Sequence, residues 1–173
     1  MTSSQRRQYI YSLLRDACEP MSATTLANQC SVTRQIIVGD IALLRAAGHD
    51  IAATPRGYVI PVENNGLLRC VACAHTLDGT RDELNAMVDC GCTVLDVIVE
   101  HPVYGQLTAA LQLSSRYDVE QFIDEMRDSS AAPLSALTEG THLHTLACPS
   151  EDAFARLKDT LREMGVLLPE QTD

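Results

Sequence analysis

The chain has 173 residues, 46% of them hydrophobic and 21% charged, the balance of a folded chain with length for one medium or two small domains. No stretch approaches the roughly 20 consecutive apolar residues of a membrane span and no apolar secretory region opens the chain, so a cytoplasmic protein with reduced cysteines is expected. The net charge of −10 divides unevenly: residues 1–60 hold six arginines against four acids, the remainder seven basic against nineteen acidic side chains, which confines any DNA contact to the first 60 residues.

From Gln5 to Ala17 the apolar residues Tyr9, Ile10, Leu13, Leu14 and Ala17 recur at helical spacing, with Arg6, Arg7, Arg15 and Asp16 on the polar side. Glu19-Pro20 stops this helix, because proline disfavours helix at the residue before it. Ser22 can cap a second helix running to about Asn28. After a brief turn at Gln29 to Val32, Ser31 or Thr33 can cap a third, with Ile36, Ile37, Ile41, Leu44 and Ala47 as its buried stripe and Gly48 closing it. Two helices joined so closely read as a helix-turn-helix, whose second helix enters the major groove by its N-terminal residues. Those are Thr33, Arg34 and Gln35, with Val38 one turn on. Arginine and glutamine pair bidentately with guanine and adenine edges, so the chemistry suits the geometry.

Short alternating runs then follow, Asp50 to Thr54 and Gly57 to Ile60, around Pro55-Arg56-Gly57. They predict the β-hairpin wing of a winged helix, with Arg56 at the tip reaching a phosphate or the minor groove. The competing reading is a three-helix module serving only dimerisation or protein binding. The run from Val32 to Arg45 resembles the helix-turn-helix of biotin-repressor type. In that family the position of Gly39 is usually a polar helix former, and glycine there costs about 1 kcal/mol relative to alanine.

Residues 61–66, Pro-Val-Glu-Asn-Asn-Gly, are turn-rich and stand at the charge switch, so they predict a linker between a DNA-binding domain over 1–60 and a second domain over 67–173. Beyond the linker the pattern predicts strand 67–75, helix 80–90, strands 92–100 and 104–111, helix 116–128, strand 135–148 and helix 150–164. That βαββαβα order gives an α+β open-faced sandwich, a sheet with helices on one face.

His142 and His144 stand two apart in a predicted strand, so both leave the same face. His75 ends the first strand, and Glu83 in the first turn of the next helix is near enough to fold back over it. Three imidazoles and a carboxylate suit one divalent Zn, Ni, Co or Fe ion with positions left for a small ligand. The alternative is a solvated strand face and a hydrogen-bonded turn histidine. Cys70-x2-Cys73 and Cys90-x-Cys92 have zinc-ribbon spacing, but residues three apart on a strand point to opposite faces, which favours buried free thiols.

Cys73-Ala74-His75-Thr76, Glu100 to Gly105 (Glu-His-Pro-Val-Tyr-Gly) and Gly140 to Thr145 (Gly-Thr-His-Leu-His-Thr) resemble the signature blocks of the three-histidine (3H) domain. Joined to this type of helix-turn-helix, that domain defines the niacin-responsive repressor (NiaR) family. The resemblance covers nearly the whole chain. It implies an HPr-like sensor and a metal, Ni or Zn, held at His75, Glu83, His142 and His144. It also implies nicotinic acid as co-repressor of NAD-biosynthesis and niacin-uptake genes. Gln106 departs from the family, which commonly has an acid after the Tyr-Gly pair.

His101, before Pro102, is a fifth ligand, a donor to the nicotinate carboxylate or a hydrogen-bonded corner; the ligand pocket, shared with Tyr104, is favoured. Arg69, Arg81 and Arg116 are the candidate partners of the carboxylate. A homodimer on operator half-sites about 10 base pairs apart, or a multiple, is expected. The rivals are a regulator for which the metal itself is the signal, and a metal-dependent hydrolase. No nucleophile elbow, phosphate loop or dinucleotide fingerprint supports an enzyme.

Overall fold

The structure, a computed structural model, describes residues 1–61, 66–129 and 132–169. The chain divides into two compact units, Met1–Glu63 and Asn64–Asp173. Of the expected linker 61–66, residues 62–65 lie outside the described residues.

In the first unit, α1 (Ser3–Asp16) starts ahead of its apolar stripe because Thr2 and Gln5 cap it reciprocally. The Thr2 hydroxyl accepts from the Gln5 amide, and the Gln5 side chain accepts from the Thr2 amide at 2.9 Å. Ser22 caps α2 (Ala23–Cys30) by accepting from the Thr25 amide at 3.0 Å. Ser31 takes a left-handed conformation that closes α2, so Thr33 and not Ser31 caps α3 (Arg34–Ala46).

The core of this unit is Ile10, Leu14, Leu26, Ile37, Ile41, Leu44 and Ile51. Ile36 and Ala47, expected in the buried stripe of α3, are exposed, as is Tyr9 of α1. Ile36 is turned about 100° from Ile37 around the helix, and Ile37, Ile41 and Leu44 set the inward face. Asp40 shares that inward side. Its buried carboxylate pairs with Arg6 of α1 at 2.6 Å, so Arg6 turns inward rather than out with the polar face. The wing is an antiparallel hairpin of β1 (Ala52–Thr54) and β2 (Gly57–Val59). It is stitched to the start of α2 by paired main-chain bonds between Met21 and Tyr58, 2.9 Å each. Three capped helices and this hairpin make a winged helix-turn-helix.

The second unit runs β3 (Leu67–Ala74), α4 (Thr80–Asp89), β4 (Thr93–His101), β5 (Gly105–Leu113), α5 (Arg116–Ser129), β6 (Thr141–Cys148) and α6 (Glu151–Glu163). This is the expected βαββαβα order. The sheet is antiparallel throughout, ordered β3-β6-β4-β5. Inward residues Val71, Cys73, Val94, Leu111, Leu113, Leu146 and Cys148 pack against α4, α5 and α6 in one cluster, while Leu68 and Cys70 on the opposite face are exposed. One expectation is corrected. The strand predicted from 135 begins only at Thr141, because Leu134–Thr138 form a 3-10 turn. Left-handed Glu139 and Gly140, with φ of 53° and 94°, break any extended run there.

Candidate functional site

The strand pairing carries out what the spacing could only suggest. Cys73 lies opposite His142 and Val71 opposite His144, so the first and last strands of the sheet's β3-β6 pair are neighbours and His75 follows immediately beyond that ladder. The face on which His142 and His144 project is the helix-covered one, and each is at most 3% exposed. The alternative of a solvated strand face is thereby corrected. α4 lays Glu83, fully buried, over the same spot.

The four side chains converge. Nε2 of His75 stands 2.6 Å from Glu83 Oε2, Nε2 of His142 3.2 Å and Nε2 of His144 3.6 Å. The His142 ring meets those of His75 and His144 edge-on, with centroids 4.9 Å apart in both pairs. Among the described residues, the donor atoms of His75, Glu83 and His142 lie close enough together to share one ion, and His144 flanks them.

The far nitrogen of each ring is spoken for by the main chain. His75 Nδ1 donates to the Thr76 carbonyl at 2.7 Å, His142 Nδ1 to the Gly140 carbonyl at 2.8 Å and His144 Nδ1 to the Asp96 carbonyl at 2.7 Å. A neutral imidazole that donates from Nδ1 is an acceptor at Nε2. Three acceptor nitrogens then face a carboxylate that also only accepts. In a buried space this is tolerable only with positive charge among them, carried by protons on the rings or by a cation. The donor set and its outer carbonyl partners fit a divalent transition metal.

The electrostatics follow from the same geometry. Burial alone would raise the Glu83 carboxyl, but where protons rather than a cation fill the cluster, its interactions with His142, His144 and His75 outweigh burial and hold it far below the usual carboxylate range. The hydrogen bond to Glu83 raises the His75 pKa against the opposing effect of burial. Burial, reinforced by the Glu83 carboxylate, pushes the Cys73 thiol up, so it stays protonated. Cys92 meets Cys148, 3.1 Å between sulfurs, and burial followed by that contact pushes Cys92 up to about 12. Cys70 and Cys73 lie on opposite faces, one exposed and one buried, and the zinc-ribbon spacing gathers no shared site.

An open cavity of about 580 Å³ adjoins the cluster, walled by His75, Leu77, Met126, Pro133, Ala136 and Gly140. Leu77 and Met126 also wall a second cavity of about 400 Å³ that contains Arg81 and Arg127. Of the candidate carboxylate partners, Arg81 lines this adjoining cavity, although it is paired with Glu120 at 2.6 Å. Arg69 is bound to Glu151, and Arg116 to Asp89 at 2.5 Å. His101 Nδ1 accepts from the amides of Val103 and Tyr104 at 3.2 Å each, and its ring lies against Tyr104. Neither His101 nor the exposed Tyr104 lines the cavity beside His75.

The site uses groups that composition and spacing do not reveal, namely the carbonyls of Thr76, Asp96 and Gly140. Gly140 left a trace as the glycine just before Thr-His. Its carbonyl orients His142, and a Cβ there would stand 2.2 Å from the His75 carbonyl oxygen. Asp96 left none, since it is exposed to view only by a shift in register between Val94 and Ile98 where β4 pairs with β6. In the first unit, Thr33, Arg34, Gln35 and Val38 are all exposed at the N-terminal half of α3, and Arg56 is half-buried in the turn between β1 and β2.

The 3H domain family matches residues 68–170, and a family described as HTH domain matches residues 6–59. The chain is 40% identical over 166 residues to a protein of Thermotoga maritima named "Probable transcription repressor NiaR", covering 96% of this chain and 95% of that one. It is also 40% identical over 172 residues to "Transcription repressor NadR" of Bacillus subtilis, covering 97% of this chain and 96% of that one.

Proposed function

This chain belongs to the family of transcription repressors that join an HTH domain to a 3H domain, and from that premise we propose that it represses genes of NAD biosynthesis and niacin uptake, with nicotinic acid as co-repressor. Residues 1–60 bind operator DNA. Residues 67–173 sense the ligand, with one divalent metal ion, Ni or Zn, held by His75, Glu83, His142 and His144. The observation that carries this reading is the convergence of three Nε2 atoms on Glu83 while each Nδ1 is anchored to a carbonyl.

The bound ion would supply positive charge to these acceptors and an open position for a pyridine nitrogen or a carboxylate. The chain's own part is orientation and exclusion. Thr76, Gly140 and Asp96 fix the three rings, and α4 shuts Glu83, His142 and His144 away from water. That leaves His75 as the approach, where Leu77, Met126, Pro133 and Ala136 offer apolar walls to a flat ring. Arg81, which lines the adjoining cavity, is the candidate partner for a carboxylate that this reading favours.

In the first unit, Thr33, Arg34, Gln35 and Val38 would meet base edges and Arg56 the backbone, as a homodimer on two half-sites. A ligand shifts such a protein only through its differential affinity for the DNA-competent state. The test combines metal analysis of the purified chain with duplex binding in the presence of nicotinate, nicotinamide or neither. Tighter binding with nicotinate alone is expected. Indifference to both ligands, with switching on chelation and metal return, would give the role of signal to the metal instead.

A further inference from the structure

The third helix carries a glycine that nothing within its unit explains. Gly39 lies in the middle of α3, where glycine is a poorer helix former than alanine. A glycine is usually retained for a left-handed backbone or for a close approach. Gly39 is not among the glycines with positive φ, and a Cβ built on it meets no heavy atom within 4 Å. The residue is exposed, so neither packing nor conformation requires it.

Its place on the helix is informative. At about 100° per residue, Gln35, Gly39, Ala42 and Ala46 fall on the side of α3 opposite Ile37, Ile41 and Leu44, and all four are exposed. A solvated helix face ordinarily carries long charged helix formers. Here the outward line carries no charge, and its one projecting polar group is Gln35, one turn before Gly39.

Resting on the DNA-binding reading above, we infer that Gly39 is a specificity-determining residue of α3, left bare so that the helix seats deeply in the major groove. A groove about 12 Å wide admits a helix that is itself about 10–12 Å across with its side chains. On the groove-facing line, the height of each side chain sets how far the axis stands from the bases. A bare position one turn after Gln35 lets the amide of Gln35 reach a base edge; a side chain there holds the helix off. The stability given up at Gly39 is thus exchanged for a closer reading distance.

The test uses the full chain, metal-loaded and with nicotinate present. Duplexes are selected from a randomised library with the unaltered protein. Gly39→Ala and Gly39→Gln are then measured for melting temperature, for affinity to the selected duplex and for affinity to mixed-sequence duplex DNA. Both variants should melt a few degrees higher. Both should bind the selected duplex about tenfold or more weakly, Gln worse than Ala, with mixed-sequence binding unchanged. Variants that melt higher and hold the selected duplex as tightly as before overturn this inference alone, and variants that melt lower overturn it by showing that the glycine serves the fold. An unaltered protein that selects no duplex overturns the DNA-binding reading and this inference with it.

Discussion

At the scale of single residues, the cluster depends on Gly140 as much as on its histidines. The carbonyl of Gly140 accepts from His142 Nδ1 at 2.8 Å and from the His75 amide at 3.4 Å, so one residue sets the orientation of one ring and the backbone position of another. Gly140→Ala would need a left-handed backbone and would drive a methyl into the His75 carbonyl. A loss of about 2–4 kcal/mol in stability is expected, together with loss of bound metal, read by chemical denaturation and metal analysis. A variant that keeps both would show that the rings are held by something else. The pH response separates the metal-free from the metal-loaded protein. Without metal, His75 donates from both nitrogens and its pKa is raised, so its contribution is complete below the ordinary 6.5 and is lost as pH rises through the raised value. Glu83, held low, contributes above its ordinary 4.5 and loses that contribution as pH falls through its depressed value. The chelated protein should therefore melt highest between about pH 4.5 and 6.5, and progressively lower as pH rises from there through the raised pKa of His75. Metal binding must displace the Nε2 proton, so the loaded protein should keep its melting temperature on the alkaline side and release metal as pH drops. Parallel melting curves for the two forms would refute a shared set of groups.

At the scale of elements, neighbouring isoleucines on α3 give the sharpest test. Ile37 is fully buried and Ile36 is 41% exposed, although helical periodicity alone had admitted both to the stripe. Ile37→Ala is expected to cost about 2–5 kcal/mol, whereas Ile36→Ala should stay within about 0.5 kcal/mol. Equal losses in thermal or denaturant unfolding would mean that α3 is rotated from the face described. The same pair shows what a sequence discloses. Caps, proline stops and apolar spacing are local, so they located α1 to α3, the wing and the βαββαβα order to within a few residues, except at the start of β6. Adjacency is not local. That β3 pairs with β6, and that the His142 and His144 face is the one beneath α4, follows from how the whole sheet folds around its core. The spacing of the histidines said only that two of them share a face. Likewise Arg6 read as polar surface because its partner Asp40 lies 34 positions away, and ion pairs at such distance leave no periodic trace. The 3-10 turn at Leu134–Thr138 was hidden for the opposite reason: its apolar residues imitate the start of a strand, and only the left-handed pair Glu139 and Gly140 shows where extension becomes possible.

At the scale of the whole molecule, the two units differ in charge as they do in proposed task. The first 60 residues sum to +2 and the rest to −12, so the phosphate backbone attracts one unit and repels the other. On the proposed reading, a sensor of that sign would act on DNA through the state of the chain and not by adding contacts of its own. Such coupling is reciprocal: if nicotinate tightens operator binding by some factor, operator must tighten nicotinate binding by the same factor. Coupling energies of this kind are typically about 1–3 kcal/mol, a change of roughly 5–150-fold in either constant. Calorimetric titration of the metal-loaded chain with nicotinate, alone and with saturating selected duplex, should return the factor found when duplex binding is measured with and without nicotinate. His142→Ala, which breaks the cluster, should reduce that factor to one while leaving the exposed N-terminal half of α3 intact and duplex binding at its ligand-free level. Unequal factors in the unaltered chain would mean that a third species, such as a change in subunit association, is linked to one of the two measurements; a His142→Ala chain that keeps the full factor would remove the cluster from the path between ligand and DNA.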